Sequence, residues 1–151
     1  MPDIFNEDFK DFLRALNSNK VEYLLVGGLA VVLHGHARVT GDMDIWVNST
    51  EENYKKLVKA FFEFHMPVFD MTLSKFLDNE SHDVFKFGRK PVAIDIMTAV
   101  KGLNYSECEK MATIFNHEDI PIRTLHLTHL LQAKKAAGRH KDLDDIEQLS
   151  K

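Results

Sequence analysis

Cysteine is almost missing from this sequence: of 151 residues only Cys108 carries a thiol, which excludes an internal disulfide and any cysteine-built zinc knuckle. An excess of positive charge is missing too. With 19 Lys and Arg against 23 Asp and Glu the net charge is -4, so the chain lacks the clustered cations with which a general nucleic-acid surface neutralises phosphates, though a local basic pocket is still allowed. Long hydrophobic runs are absent. The longest, Tyr23 to Leu33, falls short of a membrane span. The first residues, Met1-Pro2-Asp3-Ile4-Phe5, show no basic segment followed by an apolar stretch, so no secretion signal is read and the cytoplasm is the expected compartment. Repeats, low-complexity tracts and linkers are also lacking. What is present is globular usage, 44% hydrophobic and 28% charged, in a length that suits one domain over residues 1–151.

Phe5, Phe9, Phe12, Leu13 and Leu16 recur at helical spacing, with Asn6 placed to cap the start and Glu7 and Asp8 in the first turn. Val21 to Val26 is a short apolar run closed by Gly27-Gly28 and predicts a buried strand, followed by a helical stretch to Leu33. Met43, Ile45 and Val47 alternate with Asp42, Asp44 and Trp46, the period of a strand with one apolar and one mainly acidic face. Ser49 and Glu52 have capping-box spacing ahead of a helix reaching about Phe64, with Tyr54, Leu57, Val58, Phe61 and Phe62 on one stripe. Val68 to Asp83 reads as irregular, with some helix at Leu73 to Leu77. Two strands, Val84 to Phe87 and Val92 to Met97, flank Gly88-Arg89-Lys90-Pro91, a hairpin composition. A second capping box, Ser106 and Glu109, predicts a helix through Met111, Ala112 and Phe115. Ile120 to Leu125 reads as an edge strand, and Leu127 to Ala137 and Asp142 to Leu149 as closing helices separated by Gly138. Helices and strands alternate, which predicts an α/β or α+β domain around a small mixed sheet.

Chemistry concentrates at three acids. Asp42 and Asp44, two apart on a strand, leave the same face with Cα atoms roughly 6.5–7 Å apart. Such neighbours repel unless water or a divalent cation lies between them. Asp95 interrupts the apolar strand Val92-Ala93-Ile94-Asp95-Ile96-Met97, where an ionised carboxylate is costly unless paired or bound to metal. Three carboxylates on adjacent strands suit hard cations that prefer oxygen, Mg²⁺ first among them because it also takes ligands from phosphates. Gly27-Gly28, between a strand and a helix, lets backbone N–H groups approach a phosphate closely. The connection His34-Gly35-His36-Ala37-Arg38-Val39-Thr40-Gly41 brings a cation and a hydroxyl nearby, with Arg38 suited either to a phosphate or to one of the carboxylates. His34 and His36 read as packing or loop histidines.

Val26-Gly27-Gly28, thirteen intervening residues, Asp42-Met43-Asp44-Ile45 and a later Asp95 together resemble the nucleotidyltransferase superfamily that shares the polymerase-beta-like fold. Within it the chain is similar to small stand-alone bacterial members, including abortive-infection and toxin-antitoxin nucleotidyltransferases. The likeness lies in Gly27-Gly28-Leu29-Ala30, in Arg38-Val39-Thr40-Gly41-Asp42-Met43-Asp44, and in the closing run Lys134 to Ile146. The resemblance implies that Asp42, Asp44 and Asp95 are catalytic and hold Mg²⁺ or Mn²⁺, with Asp95 also helping to deprotonate the acceptor hydroxyl. It implies that Gly27, Gly28, Arg38, Thr40, Lys134, Arg139 and Lys141 seat a nucleoside triphosphate. The acceptor would be RNA, a protein or a small molecule, with a cognate small partner protein where the chain belongs to a toxin-antitoxin pair. Relatives often carry Ser or Thr directly after the first glycine or after the pair; here Gly28 and Leu29 stand there.

The residues by themselves leave alternatives open. Lys134, Arg139 and Lys141 also fit a solvated basic face, with Asp142 as N-cap of the last helix and Asp145 a turn further on. A catalytically weak nucleotide-binding or partner-binding member of the fold, such as an antitoxin or regulatory subunit, would retain the same motifs. A metal-dependent phosphohydrolase would turn the same carboxylates on water.

Overall fold

A computed structural model describes residues 5–38, 40–89 and 92–151. Six strands form one mixed sheet in the order β3-β4-β2-β1-β6-β5. The strands are β1 (Tyr23–Val26), β2 (Asp42–Val47), β3 (Val84–Phe87), β4 (Ala93–Met97), β5 (Thr113–His117) and β6 (Ile120–Thr124). The pairs β1–β2, β3–β4 and β5–β6 are antiparallel, whereas β1–β6 and β2–β4 are parallel. The helices are α1 (Glu7–Ser18), α2 (Gly27–Leu33), α3 (Glu51–Glu63), α4 (Leu73–Leu77), α5 (Tyr105–Lys110), α6 (Leu127–Ala137) and α7 (His140–Leu149). None of the described helices is long and apolar enough to cross a membrane.

Local chemistry explains most boundaries. Asn6 accepts a hydrogen bond from the Phe9 amide and so caps α1, whose buried residues include Phe9, Phe12, Leu13 and Leu16. Helix α1 packs on α3, where Phe12 and Phe61 meet edge to face. Strand β1 is buried throughout, as a central strand covered on both faces must be. Gly138 ends α6 in the left-handed conformation, φ 65°, which a residue without Cβ adopts at little cost.

Several expectations are corrected. Thr50, not Ser49, caps α3, accepting from the Asn53 amide, while the Ser49 hydroxyl donates to Phe76 O and lies 2.8 Å from Asn79 Oδ1. Phe62 does not join the buried stripe of α3 and is 82% exposed. The helix expected through Phe115 stops at Lys110, its cap being Asn104 rather than Ser106. Thr113–His117 is instead a strand, because it pairs along its length with β6 through a tight turn in which Glu118 takes φ 56°. That extra strand covers β6, so Ile120–Thr124 is interior and β5 is the edge. Asp142 sits at the third position of α7, and Arg139 is the N-cap. β3 and β4 pair as expected, but the turn between them lies partly outside the described residues, since Lys90 and Pro91 are not among them.

Candidate active site

The parallel pairing of β2 with β4 sets the site. Asp44 stands directly opposite Asp95, and Lys86 on β3 stands opposite Asp95 from the other side. Because side chains alternate along each strand, Asp42, Asp44 and Asp95 share one face, while Met43, Ile45, Ile94 and Ile96 fill the core on the other. The acids confront one another with little to neutralise them. Burial first, then the charge of Asp95 and a hydrogen bond shared with it, push the Asp44 carboxyl up to about 7; the charge of Asp42 adds to this and Lys86 opposes it. Lys86 Nζ lies 3.4 Å from Asp95 Oδ2. One oxygen of Asp42, Oδ1, is buried with no hydrogen-bond partner.

The glycine turn lies against these acids. Gly27 has φ +70°, and a Cβ added there would collide with the Asp44 carboxylate. One added at Gly28 would strike the Thr40 hydroxyl and stand 3.2 Å from Arg38 Nη2. The Thr40 hydroxyl thus lies against the turn at Gly28. Both positions need glycine because other side chains already occupy the space.

Cations complete the wall. Arg38 Nε is 3.3 Å from Asp145 Oδ1, so its carboxylate partner is not one of the three facing acids. Lys134 is buried, with Nζ 3.2 Å from Asp142 Oδ1 and 3.1 Å from Asp145 Oδ2, which corrects the picture of a solvated basic face at this position. Arg139 grips Asp142 with Nε 2.6 Å from Oδ2 and Nη2 3.2 Å from Oδ1 while its own side chain stays 60% exposed. Burial opposes ionisation of Asp142, but the hydrogen bonds from Arg139 and Lys134 outweigh it and hold the carboxyl down at about 2. Lys141 stands at the rim of the same cleft.

All ten residues singled out in the sequence therefore border one connected polar depression. A cleft of about 320 Å³ takes in Gly27, Gly28, Arg38, Asp42, Asp44, Asp95, Lys134, Arg139 and Lys141, and Thr40 lines an adjoining one with Arg38, Asp42 and Asp44. Behind it lies an apolar chamber of about 280 Å³, walled by Val26, Met97, Val100, Leu125, Leu130 and Ala133, which shares Gly27, Asp44, Lys134 and Arg139 with the polar cleft. Sequence reasoning missed Lys86. The alternation Val84-Phe85-Lys86-Phe87 is a signal that sets Lys86 on the face opposite two core rings, but its place opposite Asp95 comes from the strand pairing. It also missed that Asp142 and Asp145 are buried, which their spacing of three on one helix allows. Among the described residues, the group of metal-capable side chains whose ligand atoms all lie within 4.8 Å of one another is His36, Asp144 and Asp145; Asp145 there already meets two cations.

Solved structures share this arrangement of elements. The lincosamide antibiotic adenylyltransferase LnuA, crystallised with lincomycin, superposes with a TM-score of 0.62 at 17% identity, over 97% of this chain and 96% of its own. This chain has the polymerase-beta-like nucleotidyltransferase fold. A Thermotoga maritima protein, TM1012, assigned as a nucleotidyltransferase, matches with a TM-score of 0.61 at 18% identity, over 92% of this chain and 88% of its own. No protein-family model and no curated protein sequence matches the chain. The nucleotidyltransferase fold so identified is a mixed sheet flanked by helices, as the alternation of elements predicted.

Proposed function

We propose that this protein transfers a nucleoside monophosphate from a nucleoside triphosphate to an acceptor hydroxyl, releasing pyrophosphate, and that it needs Mg²⁺ or Mn²⁺ to do so. The observation that carries this reading is the placement of Asp42, Asp44 and Asp95 on one face of β2 and β4, with Asp44 directly opposite Asp95 and a buried Asp42 oxygen lacking any partner, beside a turn where only glycine fits. The donor set fits a hard divalent cation: all three groups are carboxylates, and their mutual repulsion is relieved by a cation among them. Asp42 and Asp44 would hold it, with Asp95 completing the ligand set. When bound, the metal supplies charge neutralisation for the polyphosphate and lowers the pKa of a coordinated hydroxyl.

The chain's own groups do the rest. Asp95, hydrogen-bonded to Asp44 and within reach of Lys86, takes up the proton of the acceptor hydroxyl at a carboxylate oxygen. The backbone at Gly27 and Gly28 lets the triphosphate approach without steric hindrance, and Arg38, Thr40, Arg139 and Lys141 offer donors to its oxygens. Lys134 lines the same cleft and adds its charge there. The apolar chamber, open to the same cleft, seats the nucleoside and excludes water from the reacting phosphorus. Fixing both reactants in this geometry is the larger part of the catalysis.

The acceptor is RNA, a protein or a small molecule. LnuA's bound lincomycin shows that a chain of this size and fold meets a small molecule, while the abortive-infection and toxin-antitoxin likeness of the Arg38–Asp44 and Lys134–Ile146 segments favours a macromolecular acceptor and a cognate partner protein. A nucleoside triphosphate substrate accords with work in the cytoplasm. The test is incubation with each α-labelled nucleoside triphosphate, Mg²⁺ and an acceptor pool of total RNA, protein and small hydroxyl compounds, following pyrophosphate and the label on the acceptor. Wild-type protein should release pyrophosphate and Asp44→Asn should not. Transfer by Asp44→Asn at the wild-type rate refutes the assignment, and free phosphate in place of pyrophosphate would make the protein a phosphohydrolase.

A further inference from the structure

Asp145 has no role in the chemistry described so far, yet it is a charge almost as enclosed as Asp142 beside it. It projects from α7 and is 1% exposed. Its Oδ1 lies 3.3 Å from Arg38 Nε and 3.6 Å from His36 Nε2, and its Oδ2 lies 3.1 Å from Lys134 Nζ. Both Arg38 Nε and Asp145 Oδ2 are buried without a hydrogen bond of good geometry. An incompletely satisfied buried ion cluster is a poor source of stability, since well-packed apolar residues of the same volume commonly do as well or better. Its geometry accounts for it better than its energy does.

A guanidinium is planar, with its donors in a rigid fork, so holding Nε dictates where the other nitrogens point. Arg38 Nη2 points to the turn, near enough to Gly28 that an added Cβ would stand 3.2 Å away. Lys134, caught between Asp145 and Asp142, borders both the polar cleft and the apolar chamber. We propose that Asp145 is a positioning residue: it holds the Arg38 fork over the Gly27–Gly28 turn and Lys134 in the cleft wall, so that both cations meet the triphosphate already oriented. This rests on the nucleotide-binding reading above. It also disposes of a cation site at His36, Asp144 and Asp145, because a metal there would have to displace Arg38 and Lys134 from the carboxylate they share.

The proposal makes a prediction opposite in sign to bare electrostatics. Removing a buried negative charge near a bound polyphosphate should tighten binding if charge alone matters; removing the anchor of two oriented cations should weaken it. Titration calorimetry with ATP, GTP, CTP and UTP in Mg²⁺ on Asp145→Asn, Arg38→Gln and the double variant separates the two. For whichever nucleotide the wild type binds, Asp145→Asn should weaken affinity about tenfold, and it should cost clearly less than that in the Arg38→Gln background, because part of its effect passes through Arg38 and only the Lys134 part remains. Asp145→Asn that is folded and binds as tightly as wild type, or losses that simply multiply in the double variant, overturns the proposal and leaves the nucleotide reading standing. A wild type that binds none of the four overturns both. Should Asp145→Asn fail to fold, Arg38→Lys gives the answer: it keeps the charge but loses the planar fork that Asp145 orients, so it should bind the nucleotide as weakly as Arg38→Gln, and affinity equal to the wild type overturns the proposal.

Discussion

Asp44→Asn should make the metal-free protein more stable while destroying its activity. Asp44 is held between the carboxylates of Asp95 and Asp42, with Lys86 and the more distant Arg139 as the facing cations, and its carboxyl is pushed from 3.8 to about 7. An acid whose folded value is raised costs the fold nothing below its unfolded value; the cost grows as pH rises and is complete above the folded value. At roughly 1.4 kcal/mol per pH unit the full cost is up to about 4 kcal/mol at pH 8. Because Asp95 shares in the same repulsion, substitution should recover between roughly 1 and 4 kcal/mol. Asparagine keeps the size and a hydrogen bond to Asp95, so packing is little disturbed. The assay is urea unfolding in EDTA, followed by the fluorescence of Trp46, which is buried on the same strand. The advantage of the variant should widen between pH 5 and pH 8 by on the order of 2 kcal/mol, and Mg²⁺ should stabilise wild type but not the variant. A variant no more stable than wild type at pH 8, or an advantage that does not change with pH, refutes the claim that the acids repel one another here.

Gly27→Ala should lose at least about 1–2 kcal/mol of stability, because L side chains are strained at φ +70° and the methyl meets the Asp44 carboxylate; thermal unfolding with and without nucleotide will read both the fold and the turn. Asp142→Ala should cost about 3–5 kcal/mol, leaving Lys134 buried with half its partners and Arg139 unpaired, as measured by denaturant unfolding at pH 7. The contribution of Asp142 should be present above the ordinary aspartate range and vanish as pH falls toward about 2, the direction of a depressed carboxyl. Asp95→Asn should lower transfer by more than about a hundredfold, beyond the loss that follows from disturbing a group behind a metal ligand, with pyrophosphate release as the readout.

The parts of the fold that depend on neighbours in sequence were legible. Asn6, the spacing of Phe9, Phe12 and Leu16, and Gly138 each act within a turn of the element they start or stop. The common face of Asp42 and Asp44 was legible for a similar reason, since alternation within a strand assigns the face, whereas Asp95 joins them through the pairing of β2 with β4. Failures came where distant pairing decides. Met111, Ala112 and Phe115 match helical spacing as well as they match a strand, and only the hairpin with Ile120–Thr124 settles the matter. Lys86 gains its place from the β3–β4 register, which a turn of uncertain length cannot fix in advance. Asp145 reads as an exposed helix residue until α7 is laid against Arg38 and Lys134.

That last helix shows how the site and the fold are joined. The fully buried residues of α7 are not apolar: they are Asp142 and Asp145, while Leu143 is 54% exposed. An apolar helix would dock more cheaply, without the desolvation cost of two carboxylates. What docking through charge provides instead is address. Each carboxylate must find a cation outside the helix, Asp142 with Lys134 and Asp145 with Arg38 and Lys134, so α7 has one seat, and that seat holds these cations in the cleft wall. A sheet that gathers three acids on one face and a helix that distributes cations opposite them form one electrostatic unit. It follows that substitutions in α7 far from the acids should loosen α7 and the cations it seats before they loosen the sheet, which hydrogen exchange of β2 and β4 amides, compared with that of α7, would resolve directly.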